Sequence, residues 1–323
     1  MTGTKRKVAS DISAFLGNQL LQEGLRLRFG TVEDALARIR SPIPDTTPAS
    51  LLLDIRDHTL RDGLTVRSYI PLLHRPSGLL INVHGGGWVA GSIERDNARC
   101  CALSERIGCL TISVGYRLAP EAPFPAPVND CVDAIAWAVE QSRAFRIPTE
   151  HVAILGASAG ANLAVAGLMR IAAEKQCPMP ARQILLYPMC DARPDYPSYR
   201  ENARGYFLSA DDVAWYWDRY ADKESRHDPH ASILRAKNFS MMPPGLLVSS
   251  EFDPLRDEGE ALGQRFRDDG VAVKCVRYLG AIHGFLSLTP ESRLSELLLN
   301  QIVSELLNAF AIQSMPAIET VTS

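Results

Sequence analysis

The chain has 323 residues, 46% of them hydrophobic, so it can bury one large core or two modest ones. Its 34 basic and 37 acidic residues give a net charge of −3, which argues against a basic face for nucleic acid. The seven cysteines are scattered, without a CxxC motif or a Cys/His cluster, and therefore indicate reduced thiols and no metal site.

Residues 1–50 are predicted to form helices. The second of these helices should begin after Thr31, whose side chain and that of Asp34 form a capping arrangement, and it should end at SPIPDTTP, residues 41–48. No continuous apolar leader is visible near the N-terminus, and no later segment approaches the roughly eighteen apolar residues of a membrane span. We therefore expect a cytoplasmic protein that does not associate with a membrane.

From residue 51 onward, short β-rich segments alternate with longer amphipathic ones. The predicted strands are LLLDIRD (51–57), LTVRSYIP (64–71), GLLINVH (78–84), CLTISVG (109–115), VAILG (152–156), QILLYP (183–188), GLLVSS (245–250) and AVKCVRY (272–278). Helices are predicted near 94–107, 127–142, 159–174, 257–269 and 291–311. This alternation predicts a mostly parallel sheet of about eight strands with helices on both faces, and an antiparallel edge formed by the first two strands.

A long segment without strand character, residues 191–243, interrupts the alternation. It begins with a proline-rich loop and continues into SADDVAWYWDRY, where Ser209 and Asp212 again indicate the start of a helix. We interpret this segment as a lid over the sheet, a cap insertion rather than an autonomous domain. The core would then comprise residues 51–190 and 244–323, and residues 1–50 would add helices to the cap.

In the stretch VAILGASAGANLAVAG, residues 152–167, a predicted apolar strand is followed by the pattern G-x-S-x-G and then by an alanine-rich predicted helix. This strand, tight turn and helix are the context in which G-x-S-x-G presents a nucleophilic serine. Glycine on both sides removes the Cβ atoms that would collide as the chain reverses. Ser158 is therefore the candidate nucleophile.

A serine nucleophile needs a histidine base and an acid that orients the histidine. On this architecture the acid and the histidine follow the serine in the chain. His227 and His230 lie in the insertion, whereas His283 stands in a loop after the last strand and is the candidate base. Asp253, directly after the strand at 245–250, is the favoured acid. Three acids remain as alternatives: Asp191, Glu251 and Asp257.

Three consecutive glycines in INVHGGGWVAGS, residues 81–92, follow another apolar strand. Attack of Ser158 on an ester carbonyl would build an oxyanion, and each preorganised N–H group that stabilises it is worth about 3 kcal/mol. The glycines would let this loop approach the substrate oxygen, while Ala159 supplies an N–H group from the start of the helix. His84 precedes Ser158 in the chain, so we interpret it as an anchor of the loop rather than as the base.

Taken together, six motifs resemble the hormone-sensitive-lipase-like family of α/β-hydrolase carboxylesterases over residues 50–310. They are HGGGW (84–88), YRLAPEAPFPA (116–126), GASAGANLA (156–164), YFLSADDVAWYWDRY (206–220), DPLRDEGEAL (253–262) and HGF (283–285). The resemblance implies an α/β-hydrolase fold with a helical cap, and no cofactor. It implies Ser158, Asp253 and His283 as the triad, and an oxyanion hole from the N–H groups of Gly86, Gly87 and Ala159. This chain has Ala157 where members commonly carry Asp or Thr, and Ala161 where they commonly carry Gly.

The function expected from the resemblance is a serine carboxylesterase acting on a small-molecule ester, and a cap closed by aromatic residues should restrict it to short or medium acyl chains. The same triad could instead serve an amidase, a lactonase or a lyase acting on a specialised metabolite. A non-catalytic receptor is the third alternative, which the complete triad disfavours.

Aromatic residues of the glycine loop and the insertion are candidates for the substrate pocket. We predict that some of these rings wall the pocket, although they could instead attach the cap helix to the body. The candidates are Trp88, Tyr206, Phe207 and Trp215, with Tyr216 and Trp217 beside them. A homodimer through the exposed edge of AVKCVRY is also expected.

Overall fold

The computed structural model describes residues 6–20, 27, 30–41, 50–193 and 195–311. Within these residues, eight β-strands form one sheet in the order β1-β2-β4-β3-β5-β6-β7-β8. The strands are β1 (Leu53–Arg61), β2 (Leu64–Pro71), β3 (Leu79–Val83), β4 (Leu110–Gly115), β5 (Val152–Ala157), β6 (Arg182–Leu186), β7 (Gly245–Phe252) and β8 (Val273–Ile282). Each strand expected from the sequence is present.

The sheet is antiparallel at one edge and parallel through the rest. β1 pairs with β2, and β2 with β4, in antiparallel register, while β3 to β8 pair in parallel. β1 and β2 are joined only by Asp62 and Gly63, and Gly63 has the positive φ of 74° that such a tight connection requires. Because the carboxyl ends of parallel strands share one edge, the segments that follow β3, β5, β7 and β8 can meet there.

Ten α-helices lie in the described part of the chain. They are α1 (Ser10–Leu20), α2 (Val32–Ile39), α3 (Ile93–Ile107), α4 (Ala126–Ala144), α5 (Ala159–Glu174), α6 (Pro197–Glu201), α7 (Ala210–Tyr220), α8 (Arg256–Asp268), α9 (Phe285–Leu288) and α10 (Arg293–Ala311). The capping boxes predicted at Thr31–Asp34 and at Ser209–Asp212 are both formed, and they begin α2 and α7. The predicted end of α2 at SPIPDTTP falls largely outside the described residues.

The sheet separates two hydrophobic cores. Alternate residues of β3 point to opposite faces: Ile81 joins the core under α4, α5 and α8, whereas Leu80 joins the core under α1, α3 and α10. Every residue of β3 and β5 is buried, as parallel strands covered on both faces require. In the described residues, no helix is both long enough and apolar enough to cross a membrane.

The segment 191–243 contributes α6 and α7 and packs on the first of these cores. Val213, Trp217 and Tyr220 of α7 are buried in the same cluster as α4 and α5. The segment thus shares a core with the sheet and its helices.

Candidate active site

Ser158 occupies the sharp turn between β5 and α5. Its φ of 55° and ψ of −118° are strained for a residue with a side chain. A Cβ atom on Gly156 would lie 2.5 Å from the carbonyl oxygen of Gly160, and a Cβ atom on Gly160 would overlap the backbone of Val83 and His84. Glycine at both flanking positions is therefore what allows the turn.

His283 connects the serine to a carboxylate. It follows the last residue of β8 and precedes Gly284, which has a φ of 71°. The Nε2 atom of His283 lies 2.9 Å from Oγ of Ser158, and its Nδ1 atom lies 2.7 Å from Oδ2 of Asp253. Because a carboxylate accepts hydrogen bonds, Nδ1 is assigned the proton and Nε2 is left to accept the hydroxyl hydrogen of Ser158.

Asp253 is fully buried and is fixed by its neighbours. Its Oδ1 atom accepts a hydrogen bond from the backbone N–H of Leu255 at 2.8 Å, and its carbonyl oxygen accepts one from the side-chain amide of Asn202 at 3.0 Å. One carboxylate oxygen is thus held by the backbone, and the other faces His283.

The other acids left open by the sequence make hydrogen bonds elsewhere. None of the hydrogen bonds within the described residues joins these acids to His283. Their partners are Arg193 and Tyr196 for Asp191, Arg6 and Gly280 for Glu251, and Arg256 and Ser198 for Asp257. The geometry therefore brings Asp253, and not the alternatives, to the histidine.

The glycine loop lies beside the nucleophile. A Cβ atom on Gly85 would be 3.0 Å from the carbonyl oxygen of Ala157 and 3.4 Å from Cβ of Ser158. Gly86 and Gly87 have φ values of 124° and 60°, so both need the conformational freedom of glycine.

The loop closes into a turn in which the carbonyl oxygen of Gly86 accepts hydrogen bonds from the N–H groups of Val89 and Ala90. Among the hydrogen bonds of the described chain, none uses the backbone N–H of the three predicted oxyanion donors, Gly86, Gly87 and Ala159. Three donors are thus uncommitted next to Ser158.

His84 anchors this loop. Its Nδ1 atom lies 2.9 Å from the carbonyl oxygen of Gly85, and its ring stacks on Tyr116 with the centroids 4.2 Å apart. The hydroxyl of Tyr116 in turn donates to the carbonyl oxygen of His84. Burial lowers the pKa of His84, so the neutral ring is favoured, as suits a packing role.

The predicted pocket aromatics divide into buried and half-buried side chains. Trp88 has no exposed surface: it stacks on Tyr220 with centroids 3.9 Å apart and tilts against Trp217. This burial argues against Trp88 as a pocket wall, because a fully enclosed ring offers no surface to a substrate. Trp215 is nearly as buried, at 5% exposure.

Tyr206 and Phe207 keep partial exposure. The ring of Tyr206 packs on Phe252, and that of Phe207 lies 6.1 Å from the ring of Phe15 in α1. Phe207 of the insertion thus lies beside the N-terminal helix α1. These two are the predicted pocket residues that retain surface for a ligand.

Two contacts at the site were not found by sequence reasoning. Tyr187, which follows β6, places its ring edge-on to the imidazole of His283 with centroids 5.0 Å apart. Glu258 in α8 is fully buried and accepts hydrogen bonds from the N–H of Cys190 at 2.6 Å and from the hydroxyl of Tyr199 at 2.9 Å. Burial raises the pKa of Glu258 above its usual range. The only sequence signal was that Glu258 lies in the DPLRDEG motif.

A family model described as the α/β hydrolase fold matches residues 80–287. The chain belongs to the α/β-hydrolase fold family. This confirms the resemblance to hormone-sensitive-lipase-like esterases. No group of three or more His, Cys, Asp or Glu side chains in the described part of this α/β hydrolase is arranged to hold a metal ion.

Several known proteins are similar to this α/β hydrolase. An ethyl acetate hydrolase of Pseudomonas putida is 36% identical over 236 residues, which cover 71% of this chain and 74% of that protein. An arylesterase of Saccharolobus solfataricus is 32% identical over 279 residues, covering 85% and 89%. The crystal structure of a thermostable esterase from Pseudomonas putida superposes with a TM-score of 0.83 at 27% identity, covering 96% of this chain and 99% of that one.

Proposed function

We propose that this protein is a serine carboxylesterase that hydrolyses short- to medium-chain acyl esters of small molecules through an acyl-enzyme intermediate. The single observation that carries the proposal is the hydrogen-bonded series Ser158–His283–Asp253 beside a loop of uncommitted N–H groups. Relatives named as ester hydrolases support the same chemistry.

In the proposed mechanism, Oγ of Ser158 attacks the ester carbonyl carbon while Nε2 of His283 accepts the hydroxyl proton. Asp253 holds the ring in the correct tautomer and stabilises the imidazolium that forms. The N–H groups of Gly86, Gly87 and Ala159 would donate to the oxyanion, each worth about 3 kcal/mol in the transition state.

Collapse of the tetrahedral intermediate breaks the bond to the alcohol, which leaves with the proton from His283. Water then gives a proton to His283 and attacks the acyl group, and Ser158 departs with that proton restored. Ser158 and His283 each retain 7% exposure, whereas Asp253 has none. Ser158 and His283, which must contact substrate and water, are thus the two members of the triad that remain partly exposed.

Replacement of the nucleophile tests this function. Ser158→Ala removes one hydroxyl from the turn, and we expect it to abolish hydrolysis of p-nitrophenyl butanoate while the fold is kept. A fluorophosphonate probe should label the wild type and not the variant. Turnover by the alanine variant at a comparable rate would contradict a serine esterase.

Two alternatives use the same fold. An amidase, a lactonase or a lyase for a specialised metabolite would keep Ser158 reactive to the probe while simple esters are turned over no faster than in buffer. A receptor would have lost a member of the triad, whereas this chain holds all three residues in hydrogen-bonding contact.

We further propose that the N-terminal helices α1 and α2, within residues 1–50, and the segment 191–243 act together as the cap over this site. A homodimer through β8 is also proposed, since β8 is an edge strand of the sheet. Light scattering at micromolar concentration tests the dimer, and a monomer would contradict it. None of the seven cysteines forms a disulfide, which supports the proposed cytoplasmic location.

A further inference from the structure

An arginine at the end of α2 reaches across to the glycine loop. Nε of Arg40 donates to the carbonyl oxygen of Val89 at 2.8 Å, and Nη2 donates to the carbonyl oxygen of Ala119 at 2.8 Å. The same guanidinium forms a two-pronged ion pair with Glu121, at 2.7 and 2.8 Å. One side chain thus joins the N-terminal segment to two separate backbone segments of the core.

The carbonyl that Arg40 binds belongs to the turn that carries the proposed oxyanion donors. The Val89 carbonyl shares its peptide unit with the N–H of Ala90, which donates to the carbonyl oxygen of Gly86, so this peptide unit closes the turn. The other attachment also leads to this turn, because the N–H of Ala119 donates to the carbonyl oxygen of Trp88 at 2.9 Å. Arg40 therefore joins the far end of the glycine turn to the segment that runs beside it.

The connection is reciprocal. Nη2 of Arg95, near the start of α3, donates to the carbonyl oxygens of Ile39 and Ser41, both at 2.8 Å. A cation at the C-terminal end of a helix also interacts favourably with the helix dipole. The residues on either side of Arg40 are thereby held in place, and the end of α2 is fixed against the core from both directions.

We propose that Arg40 is a positioning residue for the oxyanion hole, acting through the backbone of the 86–90 turn. The inference rests on the proposed esterase function and adds a role for the N-terminal segment in the chemical step. Oxyanion donors must lie within hydrogen-bonding distance of the developing charge, and a misplacement of about 1 Å costs on the order of a hundredfold in rate. Only a planar guanidinium supplies several donors in fixed directions to two carbonyls and a carboxylate at once.

A purely structural role for Arg40 makes a different prediction. If Arg40 served only to attach α2, its loss would lower the melting temperature or raise KM through a loosened cap. Loss of positioning instead lowers kcat, and it weakens binding of inhibitors that form an oxyanion. The two roles are thus separated by the split between KM and kcat and by inhibitor affinity.

The test compares Arg40→Met with the wild type on p-nitrophenyl butanoate. We expect kcat to fall about 10- to 100-fold and KM to change by less than about threefold. Ser158 adds to the carbonyl carbon of a trifluoromethyl ketone, and the adduct places an oxyanion in the hole. The dissociation constant of this inhibitor should rise by the same factor by which kcat/KM falls. Arg40→Lys should be intermediate, because one ammonium cannot bridge all three acceptors.

Two further variants serve as controls. Arg143→Met removes an exposed arginine of α4 that pairs with Glu140, and it should leave kcat and the inhibitor affinity unchanged. Glu121→Gln removes the carboxylate partner but leaves the donors to Val89 and Ala119, so kcat should fall by less than about threefold.

Folding is checked by circular dichroism, and active sites are counted by complete fluorophosphonate labelling. A folded Arg40→Met protein with wild-type kcat and inhibitor affinity would overturn the inference, as would a lower kcat with unchanged inhibitor affinity. If Arg40→Met does not fold, Arg95→Met applies the same test from the other side of the contact, with the same readouts. Failure of the proposed function is distinguishable, because it would appear in the wild type as absence of ester turnover.

Discussion

The ring of Tyr216 packs directly against the α-carbon of Gly87. A Cβ atom built on Gly87 would overlap ring atoms of Tyr216, so helix α7 contacts the glycine loop at the residue proposed to donate to the oxyanion. With Arg40 on Val89, the loop is contacted from both the insertion and the N-terminal segment. Both segments of the proposed cap therefore contact the backbone of the glycine loop.

This contact predicts a large effect of Gly87→Ala. The left-handed φ of 60° costs an alanine about 1 to 2 kcal/mol, and the new methyl group must also displace Tyr216. We expect kcat on p-nitrophenyl butanoate to fall about a hundredfold as the loop shifts.

The matched control for this variant is Gly270→Ala, which has a comparable φ of 81° but open space around the added methyl group. It should lose stability and keep kcat. Equal kcat losses in the two variants would assign the effect to backbone strain and not to the cap contact.

Asp253→Asn should lower kcat by about four orders of magnitude, because the amide disturbs the tautomer and removes the charge opposite His283. Asp191→Asn is the control. That acid is also fully buried after a parallel strand, but its partners are Arg193 and Tyr196. Steady-state kinetics of the two folded variants checks the assignment, and an inactive Asp191 variant with an active Asp253 variant would reverse it.

The fold was predictable because its signals are local. β3 and β5 are short, mostly apolar runs, the Thr31 and Ser209 capping boxes span four residues each, and G-x-S-x-G forces its own turn. The order of serine, acid and histidine left three histidines, and the place of His227 and His230 in the insertion then favoured His283 as the base. The carboxyl ends of parallel strands lie at a common edge of the sheet, and Asp253 follows such an end directly, so it was the favoured acid.

What the sequence could not supply are contacts between distant segments. Nothing near Arg40 indicates a carbonyl at Val89, and nothing near Gly87 indicates the ring of Tyr216. Trp88 was interpreted as a pocket residue from its place after the glycines, but it stacks on Tyr220 in the core. An aromatic ring is equally suited to a pocket wall and to a core, so only the packing distinguishes them.

Glu251 predicts a pH dependence of stability. Burial alone would raise its pKa, but hydrogen bonds from Gly280 and Arg6 outweigh burial and lower the pKa below 4.5. A carboxyl whose pKa is lowered by folding adds stability above the unfolded pKa, and that stability is lost as pH falls through the folded value. Melting temperatures of wild type and Glu251→Gln should therefore differ at neutral pH and converge below about pH 4.5.

The partner side chain provides the control for this pH effect. In an Arg6→Met background, Glu251→Gln should lower the melting temperature by less than it does in the wild type. The hydrogen bond from Arg6 to Glu251 is already absent there, and only the one from Gly280 remains to be lost. A melting-temperature gap that widens on acidification would contradict the argument.

Activity should survive exhaustive treatment with EDTA and a mild reducing agent. The described residues hold no cluster of ligands suited to a metal, and none of the seven cysteines forms a disulfide. Ester turnover before and after treatment is the measurement. Loss of activity on chelation, with recovery on adding a divalent metal, would contradict this prediction.

The length of the preferred acyl chain is the last prediction, and it follows from the proposed cap. Phe207 of the insertion is half-buried with its ring near that of Phe15 in α1, and Tyr216 of the same insertion contacts the glycine loop. A pocket closed in this way should accept short and medium chains and reject long lipids. We expect a p-nitrophenyl ester series to peak between butanoate and octanoate, with little turnover of emulsified long-chain triglyceride. Phe207→Ala should move the peak toward longer chains, whereas Trp88, which has no exposed surface, is expected to affect stability and not chain length. A wild-type profile that rises through palmitate would contradict the closed cap.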